Sequence, residues 1–133
     1  MTTPFRNLVL AGLLACAAAL SGATSQTEVQ GVLIDKQCSS KAETRVVPGP
    51  RIEGGMLVAY THTRQCALLP ACQRSGYGVF TYDSNKFLAF DSEGNRKALA
   101  VFKNSKKEDD FRVEVTGEIQ GDHMKVASIR LLD

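Results

Sequence analysis

Three cysteines and one histidine are the residues of this chain whose types and spacing could do chemistry. Cys38 stands alone, while His62, Cys66 and Cys72 share the stretch Thr61 to Gly76, Thr-His-Thr-Arg-Gln-Cys-Ala-Leu-Leu-Pro-Ala-Cys-Gln-Arg-Ser-Gly. Three thiolates and an imidazole make a legitimate tetrahedral zinc set, although this spacing matches no standard finger or knuckle. Thiols can also oxidise, but the chain has no C-x-x-C pair to hold a poised dithiol and no C-x-x-C-H for haem.

The elements that would carry these residues decide between the outcomes. Thr61 or Thr63 could cap a short helix running through Leu69, and a helix reaching back to His62 would set His62 and Cys66 one turn apart on one face. Cys72 lies six residues beyond Cys66, about 600° of rotation and about 9 Å of rise along a continuous helix. That exceeds the roughly 7 Å between Cα atoms that a disulfide spans. A Cys66–Cys72 bridge therefore requires the chain to break at Pro70, which cannot donate its amide and clashes with the preceding turn. A bridge from Cys38 to either partner is the alternative, and closing that longer loop would remove about 3 kcal/mol or more of chain entropy from the unfolded state. His62 by itself also reads as a surface or capping residue, and His123, after Gly121-Asp122, as a solvated turn residue.

The remaining elements follow from periodicity. Glu28 to Asp35 has strand composition with a Gly at 31 that marks a bulge, and Ser39 to Met56, broken by Pro48-Gly49-Pro50 and Gly54-Gly55, reads as a long loop. Its Arg45 to Gly55 part reads equally as a lid, a partner-binding segment or disordered slack. Tyr77 to Asp83 and Lys86 to Asp91 are aromatic-rich strands joined by Ser84-Asn85, and Arg96 to Phe102 has helical spacing at Ala98, Val101 and Phe102. Lys103 to Asp110 is a charged turn. Phe111, Val113, Val115 and Ile119 alternate with polar residues as a half-buried strand does, and Met124 to Leu132 switches its apolar phase, which predicts a bulge near Ala127-Ser128. Five strands with a helix between the third and fourth predict a mainly β fold, a small five-stranded OB-like Greek-key barrel with one or two short helices.

Residues 1–25 differ in composition from the rest. Arg6 precedes the apolar run Leu8 to Leu20, which ends in Ser21-Gly22-Ala23-Thr24-Ser25. This is the pattern of a secretory signal peptide, too short for a membrane span of about 20 apolar residues, and leaves 26–133 as one domain. Leu13-Leu14-Ala15-Cys16 also resembles a lipobox, with Leu a poor fit at its middle position; if it is used, Cys16 would carry a lipid and be the sole tie to a membrane. The expected location is the periplasm or cell exterior, an oxidising setting in which the three remaining cysteines permit one internal disulfide and leave one thiol. Without Arg6 the chain has 15 basic residues (16 less one) against 14 acidic, a near-neutral balance that argues against nucleic acid.

Val32-Leu33-Ile34-Asp35 followed by Cys38, then His62-x3-Cys66-x5-Cys72, then Val113-x-Val-Thr-Gly117, resemble a group of small exported bacterial proteins of uncharacterised function that look OB-fold-like. The resemblance implies a fold and a compartment, and no activity. The Pro/Gly-rich insert between Cys38 and His62 departs from it.

Other polar groups carry less. Tyr77, Phe80, Tyr82, Phe87 and Phe90 fall on the second and third strands, where OB folds bind ligands; their alternation suits a core, and Tyr77 and Tyr82 are the ligand-face candidates because their hydroxyls tolerate water. Asp83, Asp91 and Asp109-Asp110 read as turn residues, and no Ser lies in G-x-S-x-G. With no catalytic set or cofactor motif in view, the expectation is a non-enzymatic binding or accessory module for a small molecule or an envelope protein, its Cys/His segment stabilised by a disulfide. The alternative is a metal-binding (zinc) or thiol-redox protein using Cys38, His62, Cys66 and Cys72.

Overall fold

A computed structural model describes residues 25–44 and 59–133, with backbone alone for 42–44. The leader pattern up to Thr24, Cys16 within it, and the Arg45 to Gly55 loop lie outside the described residues.

Strands β1 (Thr27–Asp35), β2 (Tyr77–Thr81), β3 (Phe87–Phe90), β4 (Arg112–Gln120) and β5 (His123–Leu131) close into a barrel in the order β1-β2-β3-β5-β4. All neighbours are antiparallel except β3 and β5, which pair in parallel through Ala89↔His123 and Phe90↔Met124. This is the expected OB-like barrel. Helices α1 (Lys36–Thr44), α2 (Arg64–Ala67), α3 (Pro70–Ser75) and α4 (Ser92–Asn104) complete it, four among the described residues where one or two were expected.

Strand β1 organises the barrel because it serves two partners: residues 27–32 pair with β4 and residues 31–35 with β2. Its register is continuous through Gly31, so this glycine marks a close approach and not a bulge. A Cβ there would lie 2.2 Å from the Phe80 carbonyl oxygen. The bulge expected in β5 is present: Thr116 pairs with Ser128 and Gly117 with Val126, leaving Ala127 unmatched. That extra residue is what shifts the apolar phase of the strand.

Val32, Leu33 and Ile34 are all fully buried, because β1 has apolar neighbours on both faces. Inside the barrel Leu33, Val79, Val113, Val115 and Met124 meet Phe102 and Ala98 of α4, with Phe102 packed edge-on to Phe111 at 4.8 Å. Outside, Val32, Ile34 and Phe80 gather Ala59, Cys38, Tyr60 and Tyr82. Asp91 holds α4 to the barrel. Its Oδ1 accepts the Gly94 N–H as the helix cap and the Val126 N–H from β5.

Two expectations about helices are corrected. Residues 36–44 form α1 and are not loop: Asp35 ends β1 and caps the helix, its Oδ1 accepting the Cys38 N–H at 2.9 Å. The helix bearing Cys66 begins after Thr63, whose hydroxyl accepts the Cys66 N–H at 3.1 Å, so His62 lies outside it.

Candidate metal centre

The break expected at Pro70 is what assembles the site. Helix α2 ends at Ala67, Leu68 and Leu69 turn the chain, and Pro70 opens α3 at its first position, where the missing N–H costs nothing. Two short helices at an angle thus turn Cys66 and Cys72 toward each other. Cys38 comes to them from the first turn of α1. The Lys36 N–H donates to the Gly76 carbonyl at 2.8 Å, which fixes the start of α1 to the end of α3. Tyr77 completes the support, its hydroxyl donating to the Ala67 carbonyl at 2.7 Å.

Donor atoms of Asp35, Cys38, Cys66 and Cys72 lie within 4.8 Å of one another, close enough to hold a metal. All three cysteines are free thiols, and the Sγ atoms of Cys38 and Cys66 are 3.8 Å apart. A disulfide needs about 2.0 Å. Sulfurs placed at 2.3 Å from a tetrahedral zinc are about 3.8 Å apart. Asp35 is fully buried and Cys72 nearly so; Cys38 and Cys66 are half-buried.

His62 is brought to the cluster, but behind it. Its Nε2 stands 2.6 Å from Asp35 Oδ2, with both side chains shut off from water. At that distance the two side chains are each other's partner, and His62 Nδ1 is the buried ring atom left without one. His62 packs edge-on to Phe102 at 6.4 Å, and its N–H donates to the Ala59 carbonyl. The four-donor set expected from the sequence therefore changes by one member: Asp35 stands among the sulfurs, and His62 supports Asp35.

The electrostatics are those of a site short of positive charge. Burial raises the Cys38 thiol far above its ordinary value, and the Asp35 carboxylate and Cys66 raise it further. Cys72 is pushed up to about 11 by burial, Asp35 and Cys66. Burial also pushes Asp35 up, but His62 and the Cys38 N–H outweigh it and hold the carboxyl below its usual range. Thiols held protonated are poor nucleophiles.

The other candidates are placed elsewhere. Tyr77 is a core residue, buried to 2% exposure with its hydroxyl occupied. Tyr82 is half-buried against Tyr60, over whose ring the Arg112 guanidinium sits at 5.1 Å. His123 is exposed beside Asp122. Among the described residues no helix is long and apolar enough to cross a membrane. Comparison with protein-family models, with curated proteins and with solved structures finds no match to this chain.

Proposed function

We propose that this chain is an exported, non-enzymatic metal-binding accessory protein whose Asp35, Cys38, Cys66 and Cys72 take a thiophilic ion, zinc being the one the donor set fits. One observation carries this: four donors from β1, α1, α2 and α3 converge within 4.8 Å in a largely buried place. The burial of the Asp35 carboxylate among three sulfurs supports it, since a buried charge calls for a compensating partner. Export is supported by the leader pattern in residues 1–25.

In this role the barrel supplies a rigid frame and the ion joins two distant segments. The three thiols give up their protons to solvent as it binds, and the metal–thiolate bonds replace the S–H bonds. A folding contribution comes with the affinity, because the unfolded chain has no assembled site.

The 3.8 Å approach of Cys38 and Cys66 supports a second reading, that of a disulfide-stabilised binding module in which those two sulfurs are joined and Cys72 remains a thiol. Native and denaturing mass spectrometry of protein purified without chelator separates the two. One metal ion per chain, lost on denaturation with three thiols then alkylated, is the expected result. A metal-free chain lighter by two hydrogens, with a single alkylatable thiol, would replace the metal reading by the second.

A further inference from the structure

We infer that Asp35 makes this centre selective for a divalent, tetrahedral ion of the zinc type over monovalent copper. The inference rests on the metal reading above and concerns which ion the site prefers.

Three thiolates satisfy both ions in part. Monovalent copper is soft and needs sulfur alone, whereas zinc is borderline, accepts carboxylate oxygen and is almost always four-coordinate in closed protein sites. Cys38, Cys66 and Cys72 provide the shared three sulfurs, so discrimination falls to the fourth donor.

Asp35 is held as that donor and is not free to leave. Its Cα belongs to the last residue of a strand paired with β2 at Asp35↔Tyr77, its Oδ1 is fixed by the Cys38 N–H, and its Oδ2 is backed by His62. Once a metal has displaced the thiol protons, a fully buried carboxylate beside three thiolates is an accumulation of negative charge. A divalent ion offsets one more of those charges than a monovalent ion does and gains a bond to the carboxylate. Monovalent copper would leave the carboxylate uncoordinated next to the anionic sulfurs, an arrangement that burial makes costly. His62 is the buried nitrogen base beside the centre, and its Nε2 is taken up by Asp35 Oδ2 at 2.6 Å.

The test uses reduced full-length mature chain and its Asp35→Asn variant, which keeps the shape and the cap oxygen while removing the charge. Zn(II) and Cu(I) affinities are measured anaerobically by competition with chelators selective for each ion. The variant is expected to lose about 100-fold or more in Zn(II) affinity while Cu(I) affinity holds or rises. A parallel loss for both ions, or a loss confined to Cu(I), would overturn the inference while leaving a metal site in place. A wild-type chain that binds neither ion fails the metal reading itself.

Should the variant not fold, X-ray absorption of the zinc-loaded wild-type protein decides. Three sulfurs near 2.3 Å with one oxygen near 2.0 Å and no imidazole scattering supports Asp35. Imidazole in the shell would put His62 in its place and overturn the assignment.

Discussion

Nε2 of His62 stands 2.6 Å from Oδ2 of Asp35 where neither side chain meets solvent, so each is the other's main electrostatic neighbour. Removing one member of such a pair leaves the other as an uncompensated buried polar group, at a cost of about 3 to 5 kcal/mol. Removing both costs less than the sum. Urea unfolding of the metal-free, reduced chain as wild type, Asp35→Asn, His62→Leu and the double variant should give a coupling of about 1 to 3 kcal/mol. Additive single effects would mean that the two side chains are neighbours without being partners.

The sulfur pair makes a separate prediction. A mild thiol oxidant applied to the metal-free protein should join Cys38 to Cys66 first, because they are 3.8 Å apart and both half-buried. Cys72, at 4% exposure, should react last with an alkylating reagent in the folded state because the reagent cannot reach its sulfur. Peptide mapping identifies the pair. Bound zinc should protect all three sulfurs, and oxidation that proceeds equally with and without zinc would speak against shared ligands.

Two glycines should respond to alanine for opposite reasons. At Gly31 the backbone is ordinary but the new methyl would meet the Phe80 carbonyl oxygen at 2.2 Å, in the strand that serves two partners. Gly31→Ala should cost about 3 kcal/mol, at the upper end of overpacking losses. At Gly121 nothing lies within 4 Å, and the strain comes from φ +66 alone. Gly121→Ala should cost about 1 kcal/mol. Chemical denaturation of the two variants orders them, and equal losses would refute the distinction.

Alkaline pH should weaken the fold through its tyrosines. Burial, with Asp35 and Cys72 nearby, pushes Tyr77 up to about 12, and burial beside Tyr60 pushes Tyr82 up to about 12. The neutral phenol is thus favoured in the folded state. Between the ordinary tyrosine value of about 10 and about 12 the unfolded chain holds fewer protons than the folded one. Stability therefore falls as pH rises through that window and is untouched by these groups below it. The denaturant midpoint of Tyr77→Phe/Tyr82→Phe should fall less steeply there than that of the wild type, although the loss of the hydrogen bond to Ala67 lowers its starting value by about 1 kcal/mol.

Where the sequence pattern was local, it was enough to read. Strand β4 shows in the alternation of buried Phe111, Val113 and Val115 with Arg112 and Glu114, and the Ala127 bulge in the changed phase of Met124 and Val126 against Ile129 and Leu131. Helix α1 was hidden because Lys-Gln-Cys-Ser-Ser-Lys-Ala-Glu-Thr has no apolar stripe; the legible clue was Asp35, an N-cap residue placed three before Cys38. Asp35 as a donor was not legible. A carboxylate at a strand end reads as a turn residue until tertiary folding brings Cys66 and Cys72 to it from about thirty positions away in the chain. The helical spacing of His62 and Cys66 suggested a shared face, and it failed because Thr63 starts the helix one residue too late.

The two-sided packing of Val32 and Ile34 has a practical corollary for engineering. Cys38 on α1 and Tyr60 beyond residue 58 both rest on the Val32, Ile34 and Phe80 cluster, so the flanks of residues 45–58 are anchored by contacts of their own. Each flank is thus held on β1 and β2 directly, so a spectroscopic label placed at either anchor would report on the face of the barrel beside the sulfur cluster.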